Sequence, residues 1–510
     1  MSGVDKFFKG LSKMRIRATI FVLALVASAV LTACTPSYRS PSAGPSIPVS
    51  GGSERFLMWT NDSDCVHLNE STLMEWKSRG AGGFVCSIGM VDGVGGSQAF
   101  AAGPPATLAG KQYELERELA SSGVVSRASA LGMSMYLSFE LANDSNPETP
   151  LAPWFDDSAW SGIVLPEIEH LAAAAKQLGF AGIALDQELY DVDNIGKEGT
   201  WDWDYPGNSH TEGQVRAEAR QRGNQLVRAL LEGFPNIRIP VYDSHFPGTW
   251  DAAVESYAKG TSDPYGNSVQ IDFWNGITEV DGYAEILFLD AIFYRQPGIP
   301  GASWDAALQY EDNSLFAVLS QHLSNWAYAS SRIATSPFGW IDQDPNEGSY
   351  GTARPPQYVA SQLAAFRRWS MDGTFGIFSF AGPSGFDYTP YLAGMRAATK
   401  PGGTDDHRPE LTVGQPEIRT GPRQRLTVLL HGTAVDPFAI RAVHWHDDSR
   451  KAGGAARMVW KRGTGGVKTG WDWTMDWSFA ASVPIGTKSI EVVAVSIKGP
   501  IAVAKISLDR

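Results

Sequence analysis

From residue 54 onward the chain alternates between short apolar runs and longer amphipathic stretches. The apolar runs are RFLMWT (55–60), GFVCSIGM (83–90), SMYLSFEL (134–141), GIALDQEL (182–189), IRIPVYDSH (237–245), EILFLDAIFY (285–294), SRIATSPFGW (331–340) and GTFGIFSFAG (373–382). Each has the length and apolar character of a buried strand. Between them, LPEIEHLAAAAKQLG, EGQVRAEARQRGNQLVRALLEGF and PQYVASQLAAFRRWSMDG read as helices, each stopped by a glycine or by Gly-Phe. Eight strands alternating with helices predict a (β/α)8 TIM barrel over residues 54–402. A doubly wound open sheet is the competing α/β fold, but no GxGxxG follows the first strand.

At PGGTDDHRPE (401–410) the helical pattern stops. The rest is a series of short runs with Gly, Pro and Asp turns, such as RLTVLLHGTAVD and TKSIEVVAVSIKG, which predicts a β-sandwich of six or seven strands over residues 403–510. The stretch HGTAVDPFAIRAVHW together with WSFAASVPIGTKSIEVVAVSIKG resembles bacterial Ig-like modules, which implies a spacer or a weak binder appended to an exported enzyme. His444, His446, Asp447 and Asp448 cluster in this part, but alternation puts both histidines on one strand face, and surface or edge roles are expected rather than a metal site.

The N-terminus carries Lys6, Lys9, Lys13, Arg15 and Arg17 ahead of ATIFVLALVASAVLTA (18–33) and then Cys34. A basic start, a short apolar segment and small residues before a cut site describe an export signal over residues 1–33. The apolar run is shorter than the roughly 20 residues of a membrane-spanning helix. Leu31-Thr32-Ala33-Cys34 resembles the lipobox of bacterial lipoproteins. That resemblance implies cleavage before Cys34 and a lipid on its thiol, so the chain is expected on the outer face of a bacterial membrane. TPSYRSPSAGPSIPVSGGS completes a Pro/Ser/Gly-rich tether over residues 34–53. Cys65 and Cys86 remain, either paired across the first two strands or as free buried thiols.

Composition narrows the partner. A net charge of -13 argues against nucleic acid, because phosphate binding needs clustered Lys and Arg. Charged residues make up 19% of the chain, yet it holds 17 tryptophans. Flat rings stack on the C–H faces of sugars, although many rings in any chain belong to the core.

The candidate chemistry sits in GFAGIALDQELYD (179–191). Ala184, Asp186 and Glu188 share one strand face, at the end where a barrel gathers its functional residues. Glu140, Asp243 and Asp290 also stand at strand ends and are expected to converge there. Two carboxyl groups on one face cannot both ionise cheaply, so one keeps its proton. A neutral acid of this kind protonates the leaving oxygen in glycoside cleavage. Glu188, longer and further out, is the expected proton donor, with Asp186 the stabilising carboxylate. GFAGIALDQE resembles the strand-four signature of family 18 glycoside hydrolases, DGxDxDxE, with its last Asp at Asp186 and its Glu at Glu188. Ala181 and Ala184 stand where that signature has two further aspartates. The family's later Tyr-Asp pair has a counterpart in Tyr242-Asp243, on the fifth strand instead of the sixth.

Trp201, Trp203 and Tyr205 in the loop GTWDWDYPGNSH (199–210) are candidates for a sugar platform, as are Trp59, Trp274 and Trp340 near strand ends. His245 follows Asp243 closely and is a further candidate for substrate contact. The expectation is an exported glycoside hydrolase acting on a polysaccharide or cell-envelope glycan, with no cofactor and no metal. The rivals are a non-catalytic glycan-binding lipoprotein on a degenerate barrel, and a metal-dependent hydrolase using Asp186, Asp243 and His245. No GxSxG, P-loop or HExxH is present.

Overall fold

The computed structural model describes residues 55–60, 63–87, 118–140, 153–186, 201–205, 207–242, 246–250, 252–253, 256, 266–290, 302–341, 355–371, 374–379, 387–398, 407–421, 425–466 and 470–508. The export signal, Cys34 and the tether lie outside them. Among the described residues no helix is long and apolar enough to cross a membrane.

Eight parallel strands close into a barrel in chain order. They are β1 (Arg55–Thr60), β2 (Ala81–Ser87), β3 (Ser134–Glu140), β4 (Gly182–Asp186), β5 (Arg238–Tyr242), β6 (Glu285–Asp290), β7 (Ile333–Trp340) and β8 (Thr374–Ser379). Every predicted strand is present, and the fold is a TIM barrel. The apolar runs look continuous because both strand faces are buried. One face packs inside the barrel, through Leu57, Trp59, Val85, Tyr136, Ala184, Tyr242, Leu287, Leu289, Ala334 and Phe338. The other packs on the helices, through residues such as Phe56, Met58, Leu137, Ile183, Leu185, Val241 and Phe288.

The helices are α1 (Ser63–His67), α2 (Glu70–Arg79), α3 (Val124–Ala130), α4 (Leu165–Leu178), α5 (Glu212–Gly233), α6 (Gln270–Thr278), α7 (Trp304–His322), α8 (Pro356–Trp369) and α9 (Leu392–Ala398). On α4 the buried face is Ile168, Leu171, Ala172 and Ala175, the spacing of one helical stripe. It ends on Gly179 in the left-handed region, φ 88°. The predicted stops hold in position for α4 and for α5, which has Phe234 as its cap, but not for α8. Gly233 is the last residue of α5, and a Cβ there would meet the Glu169 carbonyl of α4 at 2.4 Å. That glycine also permits helix packing. α8 stops at Trp369 with Ser370 already extended, before Gly373 is reached.

Cys65 on α1 and Cys86 on β2 form a disulfide with a Cα–Cα distance of 5.8 Å. It ties the segment after β1 to the second strand, resolving the choice between bridge and free thiols.

The C-terminal part is a β-sandwich of two antiparallel sheets. Its strands are β9 (Glu410–Val413), β10 (Glu417–Thr420), β11 (Arg425–Val435), β12 (Ile440–Asp447), β13 (Gly453–Ala455), β14 (Arg457–Gly466), β15 (Gly470–Pro484), β16 (Ser489–Ser496) and β17 (Ile501–Ser507). One sheet runs β10-β11-β15-β14 with β9 also on β11, and the other runs β13-β12-β16-β17. The nine described strands exceed the six or seven predicted, because β9, β10 and β13 have four residues or fewer, too short to read as strands.

The sandwich rests on α7. Met458 N–H donates to Ser320 Oγ (2.9 Å) and its carbonyl accepts from Gln321 Nε2 (2.9 Å). Tyr310 meets Trp460 with ring centroids 4.5 Å apart, and Trp369 meets Phe438 at 5.2 Å. Helix α7 is consequently buried on more than one side, including the polar Glu311, Asp312, Asn313, Ser314 and Ser320. His444 turns toward the barrel, 3.5 Å from Ser330 Oγ, and is not the surface residue expected. Asp447 closes a turn by accepting from the Lys451 and Ala452 amides at 2.8 and 3.1 Å.

Candidate active site

The acid run ends where a barrel needs it. Ala184 packs inside the barrel while Ile183 and Leu185 pack outside, so alternation turns Asp186 to the inner face at the C-terminal end of β4. Its residue is 9% exposed. The register places two other predicted residues at the same level. Glu140 of β3 is the partner of Asp186, and Asp186 is the partner of Tyr242 of β5. Adjacent strands lie about 4.8 Å apart, so the backbone brings two acidic residues one strand spacing from each other, with a phenol on the far side.

Below and beside this row the barrel is aromatic. Trp59 of β1 lies 5.2 Å from Tyr242, and Phe338 of β7 lies 4.8 Å from Tyr242 and 6.0 Å from Trp59. All three rings are nearly or fully buried. Phe338 was missed in the sequence, although the alternation Ala334, Ser336, Phe338 in β7 carried the signal.

At the opposite end of the same interior, Arg238 of β5 pairs with Glu285 of β6 through Nε at 2.9 Å and through its second terminal nitrogen. Its other terminal nitrogen donates to Tyr136 Oη at 2.9 Å. This end stabilises the barrel with charges already matched.

The remaining predicted residues separate. Glu188, Asp243 and His245 lie outside the described residues; Glu140 ends β3, Trp340 ends β7 and Asp290 ends β6, as backbone positions. Trp201 and Trp274 are corrections. Trp201 has no exposed surface and sits between Trp154 (5.2 Å) and Phe273 (5.3 Å). Trp274, on α6, is also fully buried and packs on Phe288 at 4.9 Å. A ring with no free face offers none to a sugar, so both are core, and so is Trp59, 2% exposed and packed on Tyr242 and Phe338.

Their loop is held by backbone bonds. Val269 N–H donates to the Trp201 carbonyl at 2.8 Å, and Trp203 N–H to the Asn267 carbonyl at 3.1 Å. Tyr205 is 8% exposed, and burial raises its phenol above the ordinary value. Trp203, half-buried, keeps part of its ring accessible. Among the described residues no group of three His, Cys, Asp or Glu side chains is placed to hold a metal ion.

No protein-family model and no curated protein matches the chain. Solved structures that it resembles include a GH18 chitinase from Pseudoalteromonas aurantia, at 9% identity and a TM-score of 0.33, covering 68% of this chain and 99% of that one. A glycoside hydrolase family 5 enzyme from Prevotella bryantii shares 9% identity with a TM-score of 0.36, covering 67% and 96%. Endo-glycoceramidase II from Rhodococcus sp. shares 11% identity with a TM-score of 0.35, covering 85% and 98%. At such scores none of them bears on what this chain does, and the barrel rests on its own strand order.

Proposed function

We propose that this chain is an exported, lipid-anchored glycoside hydrolase that cleaves O-glycosidic bonds in a polysaccharide or cell-envelope glycan. The observation that carries the reading is the row Glu140–Asp186–Tyr242 at the C-terminal end of the barrel, with Tyr242 packed on Trp59 and Phe338. In this reading Glu188 protonates the leaving oxygen and Asp186 stabilises the positive charge that develops on the sugar. Tyr242, Asp243 and Glu140 are the further residues assigned to the site, and Trp203 supplies a ring face to the substrate. The Cys65–Cys86 bridge suits an oxidising compartment and so supports export, with Cys34 as the site of lipidation.

Release of reducing ends from a panel of glycans tests this. The wild type is expected to liberate product from at least one, and the Glu188→Gln chain to bind that glycan without cleaving it. Undiminished cleavage by the variant contradicts the assignment. A second reading, a non-catalytic glycan-binding lipoprotein, is favoured by one observation: Ala184, buried in the barrel, occupies a position where the family 18 signature has an aspartate. It predicts binding without product from the wild type as well.

A further inference from the structure

Five large apolar side chains are exposed among the described residues, and two of them, Ile501 and Val503, share one face of β17. Their cross-strand partners on β16 are Val495 and Val493, each half-buried, so this end of the sheet carries an aliphatic patch. Contiguous exposed apolar surface marks a contact with something outside the fold. Beside it opens a cleft of about 840 Å³, lined by Arg408 and Pro409 ahead of β9 and by Pro500, Ile501 and Val503. Cations frame the patch. Arg408 is exposed at the cleft, and Lys505, also exposed, follows Ile501 and Val503 on the same strand face. Neither has an ion-pair partner among the described residues, and Glu491, opposite Lys505, pairs with Arg450 at 3.4 Å.

The patch lies at the end of the molecule where the chain enters the fold. Lys498, just before Ile501, donates Nζ to the Ser370 carbonyl at 2.9 Å. Ser370 Oγ donates in turn to the Thr374 carbonyl at 2.7 Å, and Thr374 is the register partner of Arg55. Arg55 and Thr374 begin β1 and β8, so this is the N-terminal end of the barrel. Glu140 and Asp186 end their strands, at the opposite end.

We propose that the β17 patch rests on the surface of the membrane that holds the lipid anchor, with Ile501 and Val503 among the headgroups and Arg408 and Lys505 on anionic phosphates. The inference rests on the lipid-anchored reading, in which residues 34–53 join a lipid on Cys34 to the barrel at Arg55, the end that the patch occupies. Aliphatic side chains flanked by cations suit such a surface, where apolar burial and attraction to anionic lipid act together. A tether alone lets the barrel tumble, whereas a second contact fixes its orientation. The mouth of the barrel then opens away from the bilayer, toward glycans outside it.

Co-sedimentation with vesicles tests this, using the mature chain from residue 34 with Cys34→Ser so that no lipid contributes. The chain is expected to bind vesicles of equal parts phosphatidylglycerol and phosphatidylcholine, to leave them as salt rises, and to bind pure phosphatidylcholine about tenfold more weakly. Ile501→Asp combined with Val503→Asp should weaken binding by about tenfold or more with the melting temperature held, since both side chains are exposed. Arg408→Gln should weaken it about fivefold, the effect of one cation near an anionic surface. Binding that is absent from the wild type, or unchanged in the double variant, overturns the proposal. So does a wild-type dimer that the double variant abolishes, because the occupant of the patch is then a second copy of this chain. The lipid on Cys34 is read separately, from the mass of the protein extracted from cell membranes, so a failed patch and a failed anchor give different results.

Discussion

The two ends of the barrel interior are built from different materials. At the N-terminal end Glu285 faces Arg238, which also bonds Tyr136, so the acid's charge is matched by the fold. At the C-terminal end Asp186 stands in register between Glu140 and Tyr242, and Tyr242 packs on Trp59 and Phe338. Both acids are nearly buried, and burial alone does not separate a structural carboxyl from a functional one. The neighbours do. Glu285 is bonded to a guanidinium, whereas Asp186 stands level with a second acidic residue of the neighbouring strand. Position agrees, since the C-terminal end of a TIM barrel is where its loops assemble a site.

This contrast can be broken by substitution. The largest effect belongs to the mouth: Asp186→Asn should lower kcat by about 10²–10⁴-fold, the range general acid–base groups supply, with little change in melting temperature. If kcat held and the melting temperature fell instead, Asp186 would be a structural acid like Glu285. Next comes the bridge beside β1 and β2. Cys86→Ser should cost about 3 kcal/mol, the expectation for closing a loop of some twenty residues, measured by denaturant unfolding against the oxidised wild type. An unchanged midpoint would show that the bridge does not hold that corner. The smallest effect belongs to the floor. Because Arg238 is 37% exposed, solvent screens its pair with Glu285, and Glu285→Gln should cost roughly 1–2 kcal/mol while leaving kcat in place. A lower kcat with unchanged stability would erase the distinction between the two ends.

The barrel was legible because parallel strands buried on both faces leave dense apolar runs, and all eight runs became strands. Helix α7 was not, and the reason is physical. It is buried on the barrel side and again under the sandwich, so its polar residues Asp312, Asn313 and Ser320 lie inside and no single apolar stripe survives. Glycine marked the end of α5 at Gly233, where the lack of a Cβ also serves the contact between α4 and α5. At the site, Asp186 ends β4, and register puts Glu140 and Tyr242 level with it. Tryptophan content did not discriminate: Trp201 and Trp274 fill the helix layer, while Trp59 lies in the barrel interior. Nothing in residue type distinguishes a ring that packs on a neighbour from one that faces a ligand; only the tertiary fold does.

The most direct test of the mouth as a catalyst uses the leaving group. A glycan alcohol needs a proton to depart, but an aryl glycoside with an acidic phenol does not. The account predicts that Glu188→Gln loses at least about a hundredfold in kcat/KM on the natural glycan and keeps most of its rate on the activated aryl glycoside. Equal loss on both substrates, or loss on neither, would contradict it.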